Sequence, residues 1–125
     1  MALSAQIRVA FLDLALKDNS FRVIAMKTMN KQHEKDLLAA FSQVRNEDEL
    51  RRFMIDLMTP SEIAAFAERW AIARLLDEGE LSYREIASQT GGSTTTISRV
   101  ARFLKQEQHQ GYRLILDRLN KKKKS

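Results

Sequence analysis

The chain has 125 residues, of which 44% are hydrophobic, so it can form one domain with a buried core. It has no cysteine and no apolar run of the roughly 18 residues that a bilayer span needs, which excludes disulfides, thiolate chemistry and a membrane-spanning helix. The net charge of +5 suits a polyanionic partner, but Lys121 to Lys124 supply most of it, so only a local motif can support a nucleic-acid ligand.

The N-terminal segment, residues 1–28, differs in pattern from the rest of the chain. Apolar spacing in 3–14 favours an amphipathic helix, whereas the FRVIAM run at 21–26 favours a short strand. Asp13 interrupts the apolar stretch and no A-x-A site follows it, so we expect no signal peptide and a cytoplasmic location. Because Met29 opens the regular helical pattern, we interpret 1–28 as an N-terminal extension and leave open whether the native protein contains it.

Two short amphipathic helices are predicted next, in residues 33–44 and 48–58, each with apolar side chains on one face. Asn46 precedes the second helix, where its short polar side chain can cap the first turn. Because both helices are short and strongly apolar on one face, they need a packing partner, which a second copy of the chain can supply.

A longer helix is predicted to begin at the T-P-S-E sequence of residues 59–62. Thr59 can cap this helix, Pro60 suits its first position, and Glu62 can bond back to the N–H of the cap. Gly79 follows the apolar stripe and is predicted to end the helix.

Residues 82–105 have the pattern of a helix-turn-helix. An S-x-x-E sequence at Ser82 starts a short helix, and Gly91 supplies the turn, where the backbone needs a conformation that a Cβ atom opposes. Ser93 can cap the second helix, and the I-S-R-V sequence within that helix can seal it onto the first. The spacing therefore predicts a hairpin of two packed helices.

The solvent side of this hairpin favours DNA binding over a role in packing alone. Small hydroxyl side chains allow close approach to a duplex, and a helix N-terminus presents free N–H groups to phosphate. The hairpin also holds four cations against one carboxylate. We predict that the DNA-binding residues are Tyr83, Arg84, Ser93, Thr94, Thr95, Thr96, Ser98, Arg102 and Lys105.

The C-terminal residues predict a last helix followed by a tail. Tyr112, Ile115, Leu116 and Leu119 have helical spacing, and residues 121–125 are predicted to be a basic disordered tail. Because the chain has one proline and four glycines, we predict an all-α fold with one domain at 29–120.

Two other classes of function stay open on these residues. The hairpin could dock on another protein, as a helical protein-interaction module, or could be an orphan transposase or sigma-factor-like head. An enzyme is not expected, because His33 and His109 are distant in sequence and neither has a neighbouring nucleophile or a metal-ligand spacing. We accordingly predict neither a metal site nor a membrane partner.

One long stretch, LMTPSEIAAFAERWAIARLLDEGELSYREIASQTGGSTTTISRVARFLK, resembles the Trp repressor family, and within it the Trp repressor-related (YerC/YecD-type) branch. Its T-P-x-E start, G-E-L-S-x-R-E junction and T-x-T-I-S-R sequence carry the resemblance, which covers about 29–119. The resemblance implies a Trp repressor-like helical bundle, an intertwined homodimer, and a repressor that binds double-stranded DNA.

The resemblance also implies an effector pocket, and its expected residues are Thr59, Arg69, Arg99, Val100 and Phe103. Arg69 and Arg99 match the arginines that hold the tryptophan corepressor in the family. Val100 replaces a glycine of the family and Phe103 a serine, and we expect their bulk to fill the pocket with protein. We therefore predict no tryptophan cofactor, with both arginines contacting phosphate or carboxylates instead, and leave any other effector open.

Overall fold

The computed structural model describes residues 19–124, and this part of the chain contains six α-helices and no strand, which confirms the all-α class. In chain order the helices are α1 (Asn19–Ser42), α2 (Glu47–Leu57), α3 (Pro60–Glu78), α4 (Tyr83–Thr90), α5 (Thr94–Lys105) and α6 (Gly111–Lys124). The chain divides into two compact units, one up to Arg52 and one from Phe53 onwards. The helix predicted in 3–14 lies outside the described residues.

Helix α1 corrects one prediction about the first unit. The strand expected at 21–26 is wrong, because these residues belong to the 24-residue helix. The neighbouring Ala, Met and Lys residues are strong helix formers. The hydroxyl of Thr28 is satisfied within the helix, because it donates a hydrogen bond of 2.9 Å to the carbonyl of Ile24, one turn earlier. Helix α1 also passes through Met29 without a break, so secondary structure does not mark the predicted boundary at residue 28.

The predicted helix starts at Asn46 and Thr59 are confirmed. The Asn46 side chain accepts a hydrogen bond of 2.9 Å from the N–H of Glu49, and the Thr59 hydroxyl accepts one of 3.2 Å from the N–H of Glu62. One detail differs at α3, because the Glu62 carboxylate accepts from the Thr59 hydroxyl at 3.1 Å instead of from the backbone N–H of the cap. Gly79 ends α3 with φ +72°, as predicted.

The core of the second unit lies where α5 packs between α3, α4 and α6. Four large side chains, Ile72, Ile86, Ile97 and Val100, are at most 2% exposed. Burial of each such side chain contributes about 1.5–3 kcal/mol relative to exposure. The other buried residues of the same core are Ala73, Leu76, Ala101, Leu104 and Leu116. The hairpin at 82–105 is thus held on α3 by its own apolar residues.

Helix α6 is joined to α3 by polar and aromatic contacts. An Arg113 nitrogen donates to Asp77 at 2.6 Å, and the ring of Tyr112 stacks on Trp70 at 6.3 Å between centroids. The hydrogen bond from the Arg113 guanidinium holds the pKa of Asp77 below its ordinary value. The predicted disordered tail differs from the structure, since α6 continues to Lys124. Lysine is a good helix former and its charge is favourable near a helix C-terminus.

Candidate nucleic-acid interface

The start of α4 is set by a reciprocal pair of hydrogen bonds. The Ser82 N–H donates to the Glu85 carboxylate at 2.7 Å, and the Glu85 N–H donates to the Ser82 hydroxyl at 3.2 Å. This confirms the predicted capping box, and the bond from the Ser82 backbone lowers the pKa of Glu85. In the same first turn, Tyr83 and Arg84 are exposed to solvent.

The turn between α4 and α5 uses both of its glycines, for different reasons. Gly91 has φ +77°, the left-handed conformation predicted for it, and its N–H donates to the carbonyl of Ala87 at 2.9 Å. Gly92 is buried, and a Cβ atom there would lie only 2.8 Å from Cδ1 of Ile72. Sequence reasoning missed this second role, because the close approach involves a residue 20 positions earlier in α3.

Four hydroxyl side chains lie at the start of α5, and two of them form hydrogen bonds in the cap while the other two are exposed. The Ser93 hydroxyl accepts from the N–H of Thr96 at 3.1 Å, which confirms the predicted cap, and it also lies 3.0 Å from the Thr96 hydroxyl. Thr94 and Thr95 are exposed on the same first turn. The hydroxyls of Ser93 and Thr96 are therefore partly engaged by the cap, whereas Thr94 and Thr95 face solvent beside the N-terminus of the helix.

An open groove of about 710 Å³ runs along the outer face of α5. It brings together five of the nine predicted DNA-binding residues, and its lining is Tyr83, Thr95, Ser98, Arg99, Ala101, Arg102, Lys105 and Gln106. The other four predicted residues, Arg84, Ser93, Thr94 and Thr96, lie outside this lining. The groove thus combines small hydroxyls with three cations and has no acidic residue in its lining, a combination suited to a polyanion.

Arg99 also lines this groove, although it was predicted as an effector-pocket residue and was not among the nine predicted DNA-binding residues. Its guanidinium carbon lies 4.5 Å from the centre of the Phe103 ring, and that of Arg102 lies 5.4 Å from the same centre. Arg102 also approaches the carboxylate of Glu107 at 3.4 Å. The helical spacing of residues 98, 99, 102 and 105 was the available signal, since it continues the polar face of α5.

A separate cleft of about 380 Å³ lies where the effector pocket was expected. Four of the five predicted residues line it, with Arg69 and Arg99 joined by Val100 and Phe103. Thr59 is not in the lining. The expectation that bulky side chains fill the pocket is therefore met only in part, since Val100 is 2% exposed but the cleft stays open. The rest of the lining comes from the α5–α6 turn and the start of α6, residues 109–112.

The two arginines of the cleft each pack on an aromatic ring. The Arg69 guanidinium lies over the ring of Phe66 at 5.5 Å and that of Arg99 over Phe103, and neither forms a salt bridge with a carboxylate of residues 19–124. The predicted alternative of pairing with carboxylates such as Glu62 or Glu68 is therefore not seen. Phosphate remains the contact predicted for both arginines.

The described residues contain no cluster of histidine and carboxylate side chains that could hold a metal ion, and no helix among them is long and apolar enough to cross a membrane. His109 lines the cleft, whereas His33 lies on α1 in the first unit, and neither belongs to a ligand cluster within residues 19–124.

Comparisons with known proteins give a consistent set of relatives. Residues 32–120 match the family described as the Trp repressor protein. The uncharacterized protein YerC of Bacillus subtilis (strain 168) is 38% identical over 94 residues, which cover 73% of this chain and 88% of YerC.

Two solved structures are also similar to this chain. A TrpR-like protein from Eubacterium eligens has a TM-score of 0.66 at 36% identity, with 71% of this chain and 90% of that chain covered. A proposed Trp repressor from Staphylococcus aureus has a TM-score of 0.65 at 34% identity, with coverage of 71% and 87%.

Proposed function

This chain belongs to the Trp repressor family, and from that premise we propose that it is a sequence-specific DNA-binding repressor that acts as a homodimer. The family consists of DNA-binding regulators of transcription and not of enzymes, in agreement with the prediction of a non-enzymatic protein. The observation that carries the proposal is the groove on α5, where Thr95 and Ser98 lie among Arg99, Arg102 and Lys105. Repression would follow from occupation of a promoter.

The proposed complex places α5 in the major groove. Thr95 and Ser98, which face the groove, contact base edges or the methyl groups of thymine, and Thr94 lies beside them on the first turn. Arg102 and Lys105 contact the phosphate backbone from the last turn, and Arg84 does so from α4. Ser93 and Thr96 take part mainly by holding the helix N-terminus in shape, and its N–H groups favour phosphate.

The homodimer is proposed from apolar side chains that each unit leaves exposed. In the first unit, Ile24, Met26 and Leu38 are 59–61% exposed, and in the second unit Leu114 is 51% exposed. Exposed apolar side chains of this kind are candidates for burial against a partner, and a second copy of the chain is the partner that we propose. Two copies would present two α5 helices, and we expect an operator with two related half-sites. We propose a cytoplasmic location, because a bacterial regulator of chromosomal genes acts in the cytoplasm.

We also propose that DNA binding needs no tryptophan. The support is the ring of Phe103, which already occupies one face of the Arg99 guanidinium, and the bulk of Val100 at the wall of the cleft. Titration calorimetry with tryptophan should show no binding at micromolar concentrations, and the affinity for DNA should be equal with and without it. Micromolar binding, or DNA binding that appears only with tryptophan, would contradict this part of the proposal.

Selection of bound sites from a random double-stranded DNA pool tests the proposed function. We expect an enriched sequence with two half-sites, bound in gel-shift assays with an affinity that falls as salt rises. The matched control is the same protein with Thr95, Ser98 and Lys105 replaced by alanine, which should lose the enrichment. No binding to any DNA at low salt would reject the regulator and favour a protein-interaction module.

A further inference from the structure

Phe103 lies beside two of the three cations that line the groove on α5. From this geometry we infer that Phe103 is a positioning residue for DNA binding, which orients the guanidiniums of Arg99 and Arg102 toward phosphate. The inference rests on the proposed function, since it assigns a role within the same DNA-binding face. The ring centre lies 4.5 Å from Arg99 and 5.4 Å from Arg102, both within the range of a cation–π contact.

The register of α5 places Arg99 and Phe103 side by side, because Arg99 precedes Phe103 by four residues and so lies one turn away on the same face. Arg102 is adjacent in sequence and projects from a different side of the helix, so its contact with the ring, at 5.4 Å, is the longer of the two. An arginine side chain has many rotamers in solution, and binding phosphate from a fixed rotamer costs less entropy than ordering the side chain at the moment of binding. The ring limits these rotamers before DNA arrives.

Arg99 depends on the ring more than Arg102 does. Within residues 19–124, the guanidinium of Arg99 packs on the ring of Phe103, whereas Arg102 also has the carboxylate of Glu107 at 3.4 Å. Arg99 lines both the groove on α5 and the separate cleft, whereas Phe103 lines only the cleft, so the ring contacts Arg99 at the border between the two. Removal of the ring would release it from the position it holds now.

Phe103 lies outside the core cluster that holds α5 on the rest of the unit. The buried residues of α5 are Ile97, Val100, Ala101 and Leu104, whereas Phe103 is only half-buried. A change at Phe103 that keeps an apolar side chain should therefore leave the helix in place. This separates a positioning role from a structural one and makes substitution at this residue informative.

The test compares Phe103→Leu with the conservative Phe103→Tyr, using the DNA site selected by the wild-type protein. Phe103→Leu keeps apolar bulk and removes the aromatic face, so the affinity should fall roughly two- to fivefold for each arginine released. The slope of log Kd against log salt should become shallower by about 0.9 for each phosphate that the protein no longer neutralises. Phe103→Tyr should retain the wild-type affinity and slope. Thermal unfolding verifies the fold, and Phe103→Met replaces Phe103→Leu if the latter unfolds.

A double-mutant cycle gives the deciding readout. Arg99→Ala should weaken binding in the wild-type background and have a much smaller effect in the Phe103→Leu background, because the arginine has already been released. Equal effects of Arg99→Ala in both backgrounds, or an unchanged salt slope for Phe103→Leu, would overturn the inference while leaving the proposed function intact. Wild-type protein that binds no DNA at low salt would overturn both together.

Discussion

The helix-turn-helix at 82–105 and helix α1 differ in how far their apolar side chains are buried. The hairpin buries Ile86 and Ile97 completely, within its own chain, whereas α1 leaves Val23, Ile24 and Met26 more than half exposed. The hairpin therefore buries its apolar side chains against residues of its own chain. Helix α1 leaves apolar side chains exposed, and a partner can cover them. The difference also separates two proposed tasks, since the hairpin carries the groove proposed to bind DNA and α1 carries apolar surface proposed for association.

The largest expected effect comes from removal of a buried side chain in the hairpin. Ile86→Ala should lower the free energy of unfolding by about 2–5 kcal/mol, because Ile86 is 0% exposed and the change leaves a cavity. Urea denaturation measures it. The matched control is Ile24→Ala on α1, where Ile24 is 61% exposed, and its effect should depend on protein concentration if a second copy covers it. A small loss of stability for Ile24→Ala that does not depend on protein concentration would contradict the proposed association through α1.

The next effect concerns the face of the hairpin that is proposed to bind DNA. Thr95→Ala should relax the preference at one base pair by about 1–3 kcal/mol, whereas Lys105→Ala should weaken binding to all sequences and lower the salt slope by about one. Competition gel shifts against single-base variants of the selected site distinguish the two. If both changes weakened every sequence equally, direct contact between Thr95 and a base would be ruled out. Neither change should alter self-association.

The turn of the hairpin provides a smaller effect. Gly91→Ala places a Cβ atom in the left-handed conformation, at φ +77°, and should cost about 1–2 kcal/mol of stability. No atom lies within 4 Å of the added Cβ atom, so the cost comes from the backbone alone. Gly92→Ala tests the other mechanism, a steric contact with Ile72, and thermal unfolding compares them. A Gly91→Ala protein as stable as the wild type would contradict the assigned backbone role.

The smallest effect concerns the ion pair that joins α3 to α6. The pKa of Asp77 is lowered by Arg113, so the pair stabilises the protein above the ordinary aspartate pKa of about 3.9 and loses this effect as the pH falls through the lower pKa of the folded state. Asp77→Asn should therefore cost up to about 1 kcal/mol at pH 7 and nothing at a pH below both pKa values. Urea midpoints at the two pH values measure this. An equal cost at both would show that charge is not responsible.

Much of the hairpin could be predicted because its determinants are local. Ser82 and Ser93 each bond to a backbone N–H three residues later, and Gly91 closes a bond to a carbonyl four residues earlier. Such contacts depend on short spacing and residue type, which the sequence displays. The strand prediction at 21–26 failed for the reverse reason, since two β-branched residues were outweighed by the long helix around them.

The candidate site could be predicted only in part. Five of the nine predicted DNA-binding residues share the groove, but Arg99 joins them, and its partner Phe103 had been considered only as bulk in the effector pocket. The residue types were visible, yet the direction of a long arginine side chain is not set by spacing. It depends on which ring or carboxylate lies within reach once α5 has packed.

The sequence by itself determined the helix class, the caps and turn of the hairpin, and the polar face that α5 presents, because each depends on residues within about one helical turn. Only the tertiary structure decided that Gly92 approaches Ile72, that Asp77 meets Arg113 across 36 positions, and that a cleft of about 380 Å³ stays open beside Val100. Those features depend on how far apart packed helices lie, a distance set by all the side chains between them and by no single stretch of chain.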